Sequence, residues 1–298
     1  MTALPGILAG LGAATAQSLF YLFSRLFLKR TGGGVLHLLA SSHVLMGIAS
    51  AVGLACLWPW ARPHDAAFVL PLLGATGFYL LGQAGLSMAL RRTESSRVAP
   101  MLGLKIVVLA AITAVFQAER LGAMRWAAVL MSTAAAFLIN DAGGRIPRSA
   151  ILSVMLAVLG YCLSDLSIVV LVRRLADVGV LAPALGVCLA YVLCGLIALP
   201  VVLLRPGFTP KVWRYAAPNA AAWLVAMLFL FVCFGLVGVV LGNIVQSVRG
   251  LMSVGMAPLI SRAGMTEIEA HVPRHVFWKR LSGALLMTAA VALYVLER

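Results

Sequence analysis

Residues 216–260 read AAPNAAAWLVAMLFLFVCFGLVGVVLGNIVQSVRGLMSVGMAPLI, with Arg249 the only charge and no polar loop. A helix crosses the roughly 30 Å hydrocarbon core with about 20 apolar residues, so this stretch is far too long for one crossing. It reads as two spans, and Gly235 and Gly238 mark the expected break. The same rule, carried outward in both directions, divides the chain into ten spans. They run near Leu4 to Ser24, Val35 to Leu57, Ala66 to Leu90, Val98 to Phe116, Leu121 to Ile139, Ala150 to Val172, Leu181 to Leu204, Ala216 to Leu236, Val239 to Ile260 and Val276 to Leu296.

Composition agrees with that division. Of 298 residues, 62% are hydrophobic and 11% charged, less than half the charge of about 25% that a water-soluble domain carries. Soluble, disordered, collagen-like and disulfide-rich classes are excluded. The 23 basic and 9 acidic residues leave a net charge of +14. These charges are spread over many short loops, which suits lipid headgroups and not nucleic acid. Cys56, Cys162, Cys188, Cys194 and Cys233 all lie in apolar stretches and read as packed thiols. The first span has no basic leader and ends in Arg25, Lys29 and Arg30, so it reads as a retained helix and not a signal peptide.

Sliding the chain against itself shows a duplication. At an offset of 144, Lys29-Arg30 falls on Arg173-Arg174 and Lys105 falls on Arg249. With a four-residue loop insertion, His43-Val-Leu-Met-Gly47 falls on Tyr191-Val-Leu-Cys-Gly195, and Arg62-Pro63 meets Arg205-Pro206 at 143. Two halves of five spans must sit in the membrane with opposite orientation, the arrangement in which transporters place substrate near the midplane between repeats. The expected fold is therefore an all-α membrane protein, ten transmembrane helices as two inverted five-helix repeats, residues 1–145 and 146–298.

The stretch Leu86-Ser-Met-Ala-Leu-Arg-Arg-Thr-Glu-Ser-Ser-Arg-Val-Ala-Pro100, continued by Ala118-Glu-Arg-Leu-Gly122, Trp126 and Ala134-Ala-Ala-Phe-Leu-Ile139, resembles the EamA domain of the drug/metabolite transporter superfamily. The resemblance implies two such domains, a metabolite transporter and termini in the cytoplasm. The second half departs from the pattern. It lacks a clear Glu-Arg-Leu element and carries a longer segment, Arg262 to Arg280, with Glu267, Glu269, His271, Arg274 and Lys279. Lys105 stands where the family has an apolar or small residue, which points to a specialised substrate. Fifteen of the 23 Lys and Arg residues fall on the side reached after odd-numbered spans, which by the positive-inside rule puts the termini outside the cytoplasm, opposite to what the resemblance implies.

Ionisable groups inside a span cost about 2.5 to 3.5 kcal/mol on insertion scales and are functional candidates by default. Lys105 and Arg249, as repeat mates, can face one cavity and attract a carboxylate or phosphate, Arg as a fork and Lys as a point charge. On the ninth span, Gly242, Gln246, Arg249 and Ser253 share a stripe flanked by Asn243. Gln17 and Tyr21, Tyr79 and Gln83, and Tyr161 on the first, third and sixth spans complete the expected substrate-binding set. Asp165 can neutralise a cation or carry a coupling proton. His43, with an unperturbed pKa near 6.5, is either a switch or a hydrogen-bonded packing residue. Glu119 and Arg120 read as a helix-end pair. Gly6, Gly10, Gly74, Gly77, Gly82 and Gly85 read as points of close helix approach, and Pro100, Pro218 and Pro258 as bends.

No catalytic triad, zinc set or phosphate loop is present in the sequence, and His271 with His275 lacks a third metal ligand. The expectation is not an enzyme but a secondary transporter, without cofactor or metal. It moves a small anionic or zwitterionic organic metabolite by alternating access, conceivably as an exporter, and is a multi-pass protein of the bacterial inner membrane. Its partners are that small molecule and membrane lipids, with the chain acting as monomer or homodimer. The alternative reading is a membrane-embedded lipid-modifying enzyme or a flippase for lipid-linked substrates, with its site near Arg262 to Arg280.

Overall fold

A computed structural model describes residues 3–58, 61–63, 65–94, 97–98, 101–105, 108–109, 112, 122–141, 146–262 and 273–296. The long helices are α1 (Ala3–Arg30), α2 (Val35–Leu57), α3 (Val69–Arg92), α4 (Ala123–Asp141), α5 (Arg148–Arg174), α6 (Ala182–Leu204), α7 (Pro210–Arg262) and α8 (Arg274–Leu296). Short 3-10 turns, Ala66–Phe68 and Ala176–Leu181, lead into α3 and α6. No strand occurs among the described residues.

The protein is an all-α, multi-pass membrane protein by the length and apolarity of its helices. Among the described residues six segments meet that measure: Leu4–Arg30, Val35–Leu57, Ala66–Arg92, Arg148–Arg174, Ala176–Leu204 and Pro210–Val237. The expected ten are not reached, and the fourth expected span lies mostly outside the described residues. Pro100, Glu119, Arg120, Glu267, Glu269 and His271 also lie outside them. Large apolar side chains such as Leu4, Ile48, Leu70, Leu152 and Leu203 face outward, because lipid tails solvate them as well as a protein core would. Cys56 is also exposed, whereas the other four thiols are buried. The expectation that all five are packed therefore holds for four.

No loop separates the two limbs of α7, yet the chain reverses within it. A Cβ placed on Gly242 would lie 3.2 Å from Cys233 Sγ, whereas nine residues of straight helix would separate the two by about 13 Å. The partners on α1 agree. Phe229 and Cys233 meet Gly12 and Gly10, Val237 meets Gly6, and Val245 returns to Gly10. The first limb thus descends α1 and the second climbs back beside it. The reversal falls between 237 and 242, where the two expected spans divide.

The helices pair across the two halves: α1 with α7, α2 with α6, α3 with α5 and α4 with α8. In the ten-span numbering these are spans 1 with 8, 2 with 7, 3 with 6 and 5 with 10. Exchanging the halves maps this set onto itself. At the α2 and α6 crossing the exchange is visible residue by residue. Gly47 approaches the Gly195 Cα and the Tyr191 carbonyl, while Gly195 approaches the Gly47 Cα and the His43 carbonyl. Gly82, Gly85 and Gly160 bring α3 against α5 in the same backbone-close manner, as small residues do between membrane helices. Gly77, expected at such a contact, faces open space.

At the end of the bundle that holds most of the basic residues, polar side chains lace four helices. Arg25 donates to the Thr93 carbonyl. Arg92 donates to the Ser149 carbonyl and to Ser153 Oγ, both at 2.9 Å, and Glu94 pairs with buried Arg280 at 2.5 Å.

Candidate functional site

Between the halves lies a cavity lined by residues of both. Gln17, Tyr21, Tyr79, Lys105, Tyr161, Asp165, Gln246 and Arg249 all line it, so eight of the eleven expected site residues meet in one place. α1 contributes Gln17 and Tyr21 one helical turn apart, and α5 contributes Tyr161 and Asp165 at the same spacing. The second limb of α7 presents Gln246 and Arg249 on the expected stripe. Lys105 lies in a helical turn at 104–105.

Four pairs of these lining positions stand at one constant offset. Gln17 and Tyr161, Tyr21 and Asp165, Tyr79 and Trp223, and Lys105 and Arg249 are each 144 residues apart. The hydrogen bonding follows the pairing, with one difference that sets the charge of the site. Lys105 Nζ donates to Asp165 Oδ2 at 2.6 Å and to Gln246 Oε1 at 3.3 Å. Arg249 faces the corresponding positions of α1, but there it finds an amide and a phenol. Its guanidinium donates to Gln17 Oε1 at 3.0 Å, and Tyr21 is within its electrostatic reach. Among the described residues no carboxylate meets it. A buried cation without a counter-ion costs several kcal/mol, which the neutral Gln17 amide offsets only in part.

Sequence reasoning missed the aromatic part of the wall. Trp223 and Tyr191 line the cavity, with Trp223 Nε1 donating to the Tyr191 hydroxyl at 2.6 Å. Phe20 backs the indole at a centroid distance of 4.3 Å. An aromatic residue in an apolar helix carries no polarity signal, but adding the repeat offset of 144 to Tyr79 leads directly to Trp223. Thr76 and Ser164 complete the polar lining.

The other three expected residues sit off this wall. His43 and Gln83 line a smaller adjoining pocket, with Tyr79 shared between the two. His43 Nδ1 lies 2.6 Å from the Leu39 carbonyl, which can only accept, so Nδ1 carries a proton. In the neutral ring Nε2 then accepts from the Tyr79 hydroxyl at 3.1 Å, while Gln83 Nε2 donates to that same hydroxyl at 3.0 Å. Both ring nitrogens of His43 are thus engaged within this pocket. Asn243 is buried and is not part of either lining. In the smaller pocket Asn219 accepts from Ser42 at 2.8 Å and donates to Ser24 at 2.7 Å, tying α1, α2 and the first limb of α7 together.

No metal-binding group of His, Cys, Asp or Glu occurs among the described residues. No protein-family model matches the chain, and no curated protein does. A solved structure described only as "Crystal structure of protein" is similar over 96% of this chain and 99% of its own, with a TM-score of 0.57 and 20% identity. At that identity the likeness is one of fold.

Proposed function

We propose that the protein is a secondary transporter that moves a small anionic or zwitterionic organic metabolite across the membrane by alternating access. The reading takes the chain as two inverted five-helix repeats of the EamA kind, ten spans in all, in a bacterial inner membrane. The observation that carries it is the wall of the central cavity, where four position pairs at one offset share the lining and one mate, Arg249, meets no carboxylate among the described residues. Substrate sites of inverted-repeat transporters lie at such an interface, and a charge held in hydrocarbon without a counter-ion is retained for a function.

In this reading Arg249 takes the anionic group, Gln17 and Gln246 orient it, and Asp165 holds Lys105 neutral when the cavity is empty. The laced end, with Glu94, Arg280, Arg25 and Arg92, is the closed face. Alternating access opens it while the opposite end closes. No cofactor enters the cycle.

Counterflow in liposomes tests this. Purified protein is reconstituted with one of a panel of labelled organic anions and amino acids outside and the unlabelled compound inside, with and without a pH gradient. Saturable accumulation of at least one compound, lost in Arg249→Gln, is expected. Turnover of a lipid without any counterflow would instead mark a lipid-modifying enzyme.

A further inference from the structure

The charge and the shape of the central cavity narrow its ligand further, and we propose that it takes a monoanion with a flat aromatic body. This rests on the reading that the cavity is the substrate site.

Among the described residues three charged side chains lie in the wall. Lys105 and Asp165 cancel at 2.6 Å, and Arg249 meets only the Gln17 amide among the described residues. One positive charge is left over. A ligand with one negative charge neutralises it. A dianion must also draw Lys105 away from Asp165, and the ammonium of a zwitterion must compete with Lys105 for the one carboxylate in the wall. A neutral ligand leaves the guanidinium buried and unpaired, which is the costly case.

The aromatic wall supplies the shape. Tyr79 and Trp223 are 5.7 Å apart with planes at 27°, Tyr161 and Trp223 6.2 Å apart at 28°, and Tyr79 and Tyr161 6.5 Å apart at 35°. Tyr79 and Tyr161 are thus each stacked on Trp223, and the three rings form one aromatic cluster in the cavity wall. Hydrogen bonds hold the cluster in place. Trp223 is bonded to Tyr191, and Tyr79 to His43 and Gln83. A planar ring gains offset stacking on such a surface, worth more than its buried area alone.

Among the described residues two polar atoms of the same wall are unused: the Tyr161 hydroxyl and Thr76 Oγ1 are buried without a partner there, and both residues line the cavity. Unpaired buried polar atoms are uncommon, and these two suit a hydroxyl or carboxyl substituent on the ligand.

The test is equilibrium binding by calorimetry to the purified full chain in lipid nanodiscs, with five probes: 3-phenylpropanoate, 3-cyclohexylpropanoate, phenylalanine, phenylsuccinate and 3-phenylpropanamide. We expect 3-phenylpropanoate to bind at least tenfold more tightly than each of the others. Arg249→Gln should erase its advantage over the amide and Arg249→Lys should keep most of it. Trp223→Leu should erase its advantage over the cyclohexyl compound, and thermal unfolding confirms that each variant is folded. Equal or tighter binding of the zwitterion, the dianion or the cyclohexyl compound overturns the proposal, as does a lack of binding by all five. Binding in the expected order without counterflow would strike the transport reading and leave this one standing. Counterflow of another class of compound with the wrong binding order would do the reverse.

Discussion

Gly47 of α2 and Gly195 of α6 meet reciprocally: a methyl carbon on the first would stand 2.7 Å from the Cα of the second, and one on the second 2.8 Å from the Cα of the first. Each also faces the carbonyl four residues before its partner, Tyr191 in one case and His43 in the other. Here matched residues of the two halves meet backbone to backbone, and with the approach of Gly82 to Gly160 this contact holds the halves close together.

Alanine at either position is therefore expected to push α2 and α6 apart. Backbone atoms cannot give way as side chains do, so each variant should lose about 1–3 kcal/mol, the cost of overpacking. The two losses should be alike because the contact is reciprocal. Gly77→Ala is the control. That glycine meets nothing within 4 Å, and alanine there should leave stability unchanged or raise it by up to about 1 kcal/mol through helix propensity. Thermal unfolding in detergent measures all three.

The Lys105 and Asp165 pair should behave as a coupled unit. Removing either partner leaves a buried charge uncompensated, and Lys105→Met or Asp165→Asn alone is expected to cost about 3–5 kcal/mol. The double variant should cost clearly less than the sum. An additive pair of losses would mean that the 2.6 Å contact carries no energy.

Arg249 should show the opposite behaviour. Because no carboxylate meets it among the described residues, Arg249→Gln removes an uncompensated cation and is expected to leave unfolding unchanged or shift it upward. Losing activity while gaining stability marks a residue kept for function at the expense of the fold. A structural role would show itself as a loss of several kcal/mol.

Much of this was legible in the sequence where polarity stands out against an apolar background. Lys105 and Arg249 could be matched because charges are rare in hydrocarbon spans. Asp165 could be placed beside one of them for the same reason. The division of residues 216–260 followed from length alone, although no polar loop announces the bend. Trp223 and Tyr191 were hidden because aromatic rings look like lipid-facing residues in any hydropathy reading. His43 and Gln83 were assigned to the cavity on helical spacing, which gives a face but not a depth. Both lie one layer beyond Tyr79, in the pocket that also holds Ser42 and Asn219. Asn243 flanks its stripe by one residue, enough to turn it off the wall.

The reversal in α7 gives a distance prediction. Spin labels at Val225 and Gly255, both exposed, would be about 45 Å apart along a straight helix rising 1.5 Å per residue. With the chain folded back between 237 and 242 the limbs lie side by side. Adding label length to a helix spacing of 8–10 Å gives an expected separation of roughly 15–25 Å by double electron–electron resonance. A peak above about 40 Å would mean one continuous helix.

Transport itself is most directly tested by counterflow with three proteins in parallel liposomes: the parent, Arg249→Gln and Arg249→Lys, each given the labelled organic anion that the parent accumulates. The prediction is saturable uptake by the parent, at least a hundredfold slower uptake at low substrate concentration by Arg249→Gln, and partial recovery by Arg249→Lys, with all three equally well folded. Uptake by Arg249→Gln at the parent's rate, or no uptake of any anion or amino acid by the parent, would contradict it.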